Sequence, residues 1–97
     1  MTIAAYVPNL FDRSRFGGRA AFVETPEEAS ACRPALLLVD LDRCTDIVGF
    51  CIEGAQVIGF GPHVDTQLRQ QALAAGYDEV LARSVFFRRL PALLEGR

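Results

Sequence analysis

The sequence predicts an α/β fold, a three-layer sandwich in which helices cover both faces of a parallel sheet. Three observations predict it. The run Ala35-Leu36-Leu37-Leu38-Val39-Asp40-Leu41-Asp42 is apolar enough for a strand buried on both faces. Four other short strand candidates punctuate the chain, and each is followed by helical signals. The links between them are short, which in strand-helix alternation implies parallel strands joined by right-handed crossovers.

Taken in order, the strands are expected at residues 3–7, 20–24, 35–40, 56–61 and 79–83. The first helix, residues 9–16, must stop at Gly17 and Gly18. The second is the best marked. Thr25 offers an N-cap, Pro26 the first helical position and Glu28 a carboxylate three residues after the cap, while Arg33 and Pro34 end it. A third helix has room only over residues 46–53, before Gly54. Asp65 can cap the fourth, where Leu68, Ala72 and Ala75 form one apolar face and Gly76 supplies the stop. Ser84 can cap the last helix, which Pro91 must kink or divide.

A chain of 97 residues supports one core, so residues 1–97 are read as a single domain. With 51% hydrophobic and 23% charged residues, the composition is that of an ordinary globular protein. The net charge of -2 and the scatter of arginines from Arg13 to Arg97 argue against a nucleic-acid surface, which needs a concentrated basic stripe. No apolar run approaches the ~20 residues that span a bilayer. Residues 1–8 also lack the basic start and long apolar core of a signal peptide, so a cytoplasmic protein is expected. Cys32, Cys44 and Cys51 lack C-x-x-C spacing and read as reduced, mostly buried small residues.

An aspartate at the carboxyl end of a strand in such a sheet stands where ligands bind. Three pieces around Asp40 resemble the receiver domain of two-component response regulators, a family of bacterial signalling modules. They are Leu38-Val39-Asp40-Leu41-Asp42, then Val57-Ile58-Gly59-Phe60-Gly61-Pro62-His63, and finally the stretch from Ala75-Gly76-Tyr77-Asp78-Glu79 through Arg83-Ser84 to Phe86. The last is the most specific, since receivers show an Ala-Gly, an acid, a short strand, a basic residue and an aromatic in that order. The resemblance covers nearly the whole chain and implies a flavodoxin-like sheet of order 2-1-3-4-5.

It also implies roles for single residues. Asp40 matches the aspartate that receivers phosphorylate, and Asp42 the position whose main-chain carbonyl helps to hold magnesium. Receivers add an acidic pair at the end of strand one, because a small hard cation needs carboxylates and must neutralise the transferring phosphoryl group. Those positions here are Val7 and Pro8, and the nearest acid, Asp12, is expected on the first helix. The hydroxyl residue ending strand four becomes Gly61. The basic residue ending strand five becomes Arg83, followed by Ser84 in place of proline. The pattern resembles a degenerate, or pseudo-, receiver.

With the acidic pair gone, Arg83 is expected to contact Asp40 directly or through one water, with no cofactor and no divalent ion; Asp42 is the weak metal candidate. His63 would lie near Asp40, where it could act as a pH-sensitive contact or a ligand, although a lone exposed loop histidine is more often neither. Phe86 and Phe87, bordered by Arg69, Asp78, Glu79 and Arg88, offer a contact face formed by the fourth helix, fifth strand and last helix, where a symmetric homodimer would form. The expected function is a stand-alone receiver-like signalling and protein-interaction module, not an enzyme. One alternative is an atypical active receiver phosphorylated on Asp40. The other, a small-molecule-binding flavodoxin-like domain, lacks a phosphate loop, since Gly17 and Gly18 precede a strand and not a helix.

Overall fold

A computed structural model of the chain describes residues 2–61 and 66–96. Five strands, β1 (Ile3–Tyr6), β2 (Ala21–Phe22), β3 (Leu36–Asp40), β4 (Gln56–Gly61) and β5 (Glu79–Ala82), form one sheet of order β2-β1-β3-β4-β5. All four pairings are parallel. The flavodoxin-like architecture read from the sequence is the one observed. The helices are α1 (Leu10–Ser14), α2 (Pro26–Cys32), α3 (Thr66–Ala75) and α4 (Arg83–Leu94).

Strand alternation sends successive side chains to opposite faces, and two cores result. Ile3, Ala5, Leu36, Leu38, Ile58 and Phe60 face one way and pack with Phe16 and with Phe86, Leu90, Leu93 and Leu94 of α4. Ala4, Leu37, Val39, Val57 and Val80 face the other, against Ala29 of α2, Ala72 of α3, Phe50 and Tyr77. Central β3 is buried at every position, which is why its sequence is a continuous apolar run and not an alternating one. On the first face the Phe60 and Phe86 rings stack with centroids 3.9 Å apart, fixing α4 against β4.

The second helix forms as its signals predict. Thr25 Oγ1 accepts the Glu28 N–H at 3.1 Å, and Pro26 occupies the first turn. Arg33 ends it in the left-handed region at φ 47°, donating its N–H to Ser30 O. Asn9 caps α1 by accepting the N–H groups of Phe11 and Asp12.

Four expectations are corrected. No helix forms over residues 46–53, where turns replace it. There Asp46 Oδ1 accepts the Gly49 N–H at 2.9 Å, and the backbone bonds Cys51 N–H to Val48 O and Ala55 N–H to Ile52 O close four-residue turns. Aspartate competing for its own backbone, together with β-branched Ile47, Val48 and Ile52 and with Gly49 and Gly54, outweighs helix formation. Ser84 does not cap α4. The cap position is Ala82, which has no side-chain bond to offer. Pro91 does not divide α4, which runs unbroken to Leu94; burial of Phe86, Leu90, Leu93 and Leu94 along one side outweighs the lost backbone bond. The cysteines are free but only partly buried. Asp65, expected as a cap, lies outside the described residues.

Candidate functional site at the carboxyl ends of the strands

β1, β3 and β5 end on the same side of the sheet, and the segments leaving them form a cavity of about 240 Å³ lined by Asn9, Asp12, Asp40, Asp42, Arg43 and Arg83. Asp40 closes β3 and is 4% exposed. Its Oδ1 accepts the Asp42 N–H at 3.1 Å, turning the chain sharply out of the strand. Burial raises the Asp40 carboxyl above its ordinary value, and the Asp42 and Asp12 charges push the same way, against the backbone N–H groups of Asp42 and Arg43. Asp42 is largely exposed and lies 4.0 Å from Arg43 Nε. Tyr6 Oη donates to Arg43 O at 2.9 Å, tying the segment after β3 to the end of β1.

The main ion pair of the site is not the expected one. Arg83 does not pair with Asp40; its guanidinium meets the Asp12 carboxylate side by side, with Nη1 donating to Oδ2 at 2.8 Å and Nη2 to Oδ1. The reason lies in the elements. Arg83 is the first residue of α4, and α4 shares a sheet face with α1, so the guanidinium reaches Asp12 on α1 before it reaches β3. Asp12 is 5% exposed, so this pair joins α1 to α4 with its carboxylate end out of solvent and its guanidinium partly exposed. The Asp12 hydrogen bond raises Arg83 further above its already high value.

Where receivers place two acids, Val7 is fully buried and its carbonyl accepts Arg13 Nε at 2.7 Å. The residues present do not fit a magnesium site. Asp12 has both oxygens committed to Arg83, and among the described residues no three acids, histidines or cysteines come together as a ligand set. Gly61 ends β4, buried and beside Ala82, with no hydroxyl to offer. His63 lies outside the described residues.

The expected contact face also changes. Phe86 is fully buried and cannot be the apolar centre of an interface, because it is sandwiched into the core by Phe60. Phe87 is half-buried, edge-on to both Phe60 and Phe86. Glu79 is held by Arg89 through two bonds, at 3.0 and 3.2 Å, and Asp78 Oδ2 accepts the Val57 N–H at 2.8 Å. Of the expected rim, Arg69 and Arg88 are exposed and have no bonded partner among the described residues. Two residues that sequence reasoning missed do stand in solvent beside the site: Leu10 at 74% and Phe11 at 86% exposure. A five-residue helix is too short to show an apolar stripe, so no periodicity marks them.

No protein-family profile matches the chain, and no curated protein matches it. Among solved structures it is similar to one described as a CpaE2 pilus assembly protein of Sinorhizobium meliloti 1021. The TM-score is 0.59 at 21% identity, covering 94% of this chain and 98% of that one. It is also similar to a pilus assembly protein CpaE of Caulobacter crescentus CB15, with TM-score 0.59 at 20% identity, covering 95% and 92%. At these identities the likeness is one of fold.

Proposed function

We propose that this chain is a receiver-like protein-interaction module that does not carry out magnesium-dependent phosphotransfer. The observation that supports this most is the Arg83–Asp12 pair. In-line phosphoryl transfer to an aspartate needs a divalent ion to gather the carboxylates and neutralise the phosphoryl oxygens. Here the chain's own guanidinium occupies the nearest carboxylate, and Val7 and Pro8 supply none. What remains is a rigid scaffold whose acceptor-like Asp40 is buried and turned onto the backbone of Asp42. The likeness of fold to two pilus assembly proteins makes a pilus-assembly component the first partner to try.

The test is incubation with acetyl phosphate and magnesium, followed by intact-mass measurement. The expected outcome is an unchanged mass. A gain of one phosphoryl group that disappears in Asp40→Asn would instead establish an active receiver.

A further inference from the structure

A second cavity lies on the other side of the Arg83 side chain, between the end of α1 and the first turn of α4. Its volume is about 490 Å³, within the range of small-molecule sites, and it is lined by Arg15, Arg83, Ser84, Phe87 and Arg88. Three of five lining side chains are guanidinium groups, and no carboxylate among the described residues lines it. That is unexpected in a chain of net charge -2, in which Arg83 itself meets Asp12, Arg89 meets Glu79 and Arg43 lies beside Asp42. Arg15 and Arg88 meet no carboxylate among the described residues.

Arg15 is nonetheless held in place. Its guanidinium carbon lies 4.2 Å from the centroid of the Phe87 ring, and that of Arg83 lies 4.8 Å from the same centroid. Aromatic contact of this kind orients a guanidinium without using its N–H donors, which stay available. The Ser84 hydroxyl lines the same cavity. With two uncompensated positive charges, several free donors and no acidic wall, the cavity favours a dianionic oxyanion over a carboxylate, and a phosphate monoester carries close to two negative charges at neutral pH. The space also exceeds what a bare phosphate needs.

We propose that this cavity binds a phosphoryl dianion, either free phosphate or the phosphate group of a small phosphate monoester, through Arg15, Arg88 and Ser84. The site is distinct from the Asp40 cavity and does not depend on whether Asp40 is modified.

Two-dimensional amide NMR of the full chain at low salt, titrated separately with inorganic phosphate, AMP and adenosine, tests it. Expected are saturable shifts centred on Ser84, Phe87 and Arg88 with phosphate and AMP, at a Kd of ~1 mM or tighter, and none with adenosine. Tighter binding of AMP than of phosphate identifies the ester as the source, and equal binding identifies free phosphate. Arg15→Gln combined with Arg88→Gln should weaken binding roughly tenfold or more, whereas Arg33→Gln combined with Arg69→Gln should not change it. These four arginines contribute no core packing, and Ser84→Ala provides a second, milder loss. Absence of saturable shifts, equal shifts with adenosine, or equal weakening by the two double variants would overturn the assignment.

Discussion

Removing the Arg83 guanidinium would leave the Asp12 carboxylate, 5% exposed, without its counterion. Breaking one side of a buried pair is costlier than removing both, because the remaining charge is stranded. Arg83→Met should therefore lower stability by ~2 kcal/mol, a value reduced from the fully buried case because the arginine itself is 37% exposed. Asp12→Asn should cost less, and the double variant should regain much of the loss; urea denaturation of the three variants measures it. Asp40 gives a pH-dependent counterpart. Its folded-state pKa is raised, so the protonated form is favoured on folding, and the stability it contributes is present below the unfolded value and lost as pH rises through the folded value. Asp40→Asn, which keeps an acceptor for the Asp42 N–H, should then match the wild type near pH 3 and exceed it at pH 7 by more than the ~0.5 kcal/mol of a neutral surface change. Thermal midpoints across that range would show it, and a wild type more stable than Asp40→Asn at pH 7 would contradict it. The position of Asp40 at a strand end was legible in its apolar run. The partner of Arg83 was not, because the sequence offers two carboxylates, Asp12 and Asp40, and only the packing of α1 beside α4 decides between them.

At the scale of elements, the signals that read correctly were those that satisfy backbone groups locally. Thr25 is the clearest case, since its hydroxyl takes the Glu28 N–H and leaves no alternative partner nearby. Thr25→Ala should cost ~1 kcal/mol, seen as a lower denaturation midpoint with an unchanged slope. The signals that failed were those where tertiary packing outweighs local preference. α4 carries Pro91 and lacks a cap, yet it is continuous because Phe86, Leu90, Leu93 and Leu94 bury one side against the sheet. The segment between β3 and β4 shows the opposite, for its Asp42, Asp46, Gly49 and Gly54 favour turns over the expected short helix. Those turns still cover the sheet, with Phe50 buried and Ile47 and Ile52 packed beside it. One close contact pins this cover to β4: a Cβ on Gly59 would lie 2.7 Å from Leu41 Cδ1. Gly59→Ala should destabilise by ~1 kcal/mol or more through forced repacking of Leu41, measurable by the same denaturation experiment.

For the molecule as a whole, two cores on opposite faces of one sheet make a rigid frame, and function must come from what the frame presents. The α3-β5-α4 face presents less for self-association than its sequence suggested. Phe86 is inside, Glu79 is paired with Arg89, and the exposed charges that remain among the described residues, Arg69, Arg88 and Asp78, surround no exposed apolar centre. With Phe86 inside, two such faces lack the apolar centre that a dimer interface needs, so light scattering at micromolar concentration and low salt should give a mass near 10.6 kDa. A mass twice that value, reduced by Arg69→Glu with Arg88→Glu, would restore the dimer. The carboxyl-end site defines the molecule more directly. If the Arg83–Asp12 pair stands in place of a metal site, amide NMR during a magnesium titration should show no saturable shift at Asp12, Asp40 or Asp42 up to ~10 mM, well beyond the millimolar range of weak specific binding. Saturable shifts at these three residues, lost in Asp12→Asn, would contradict the account.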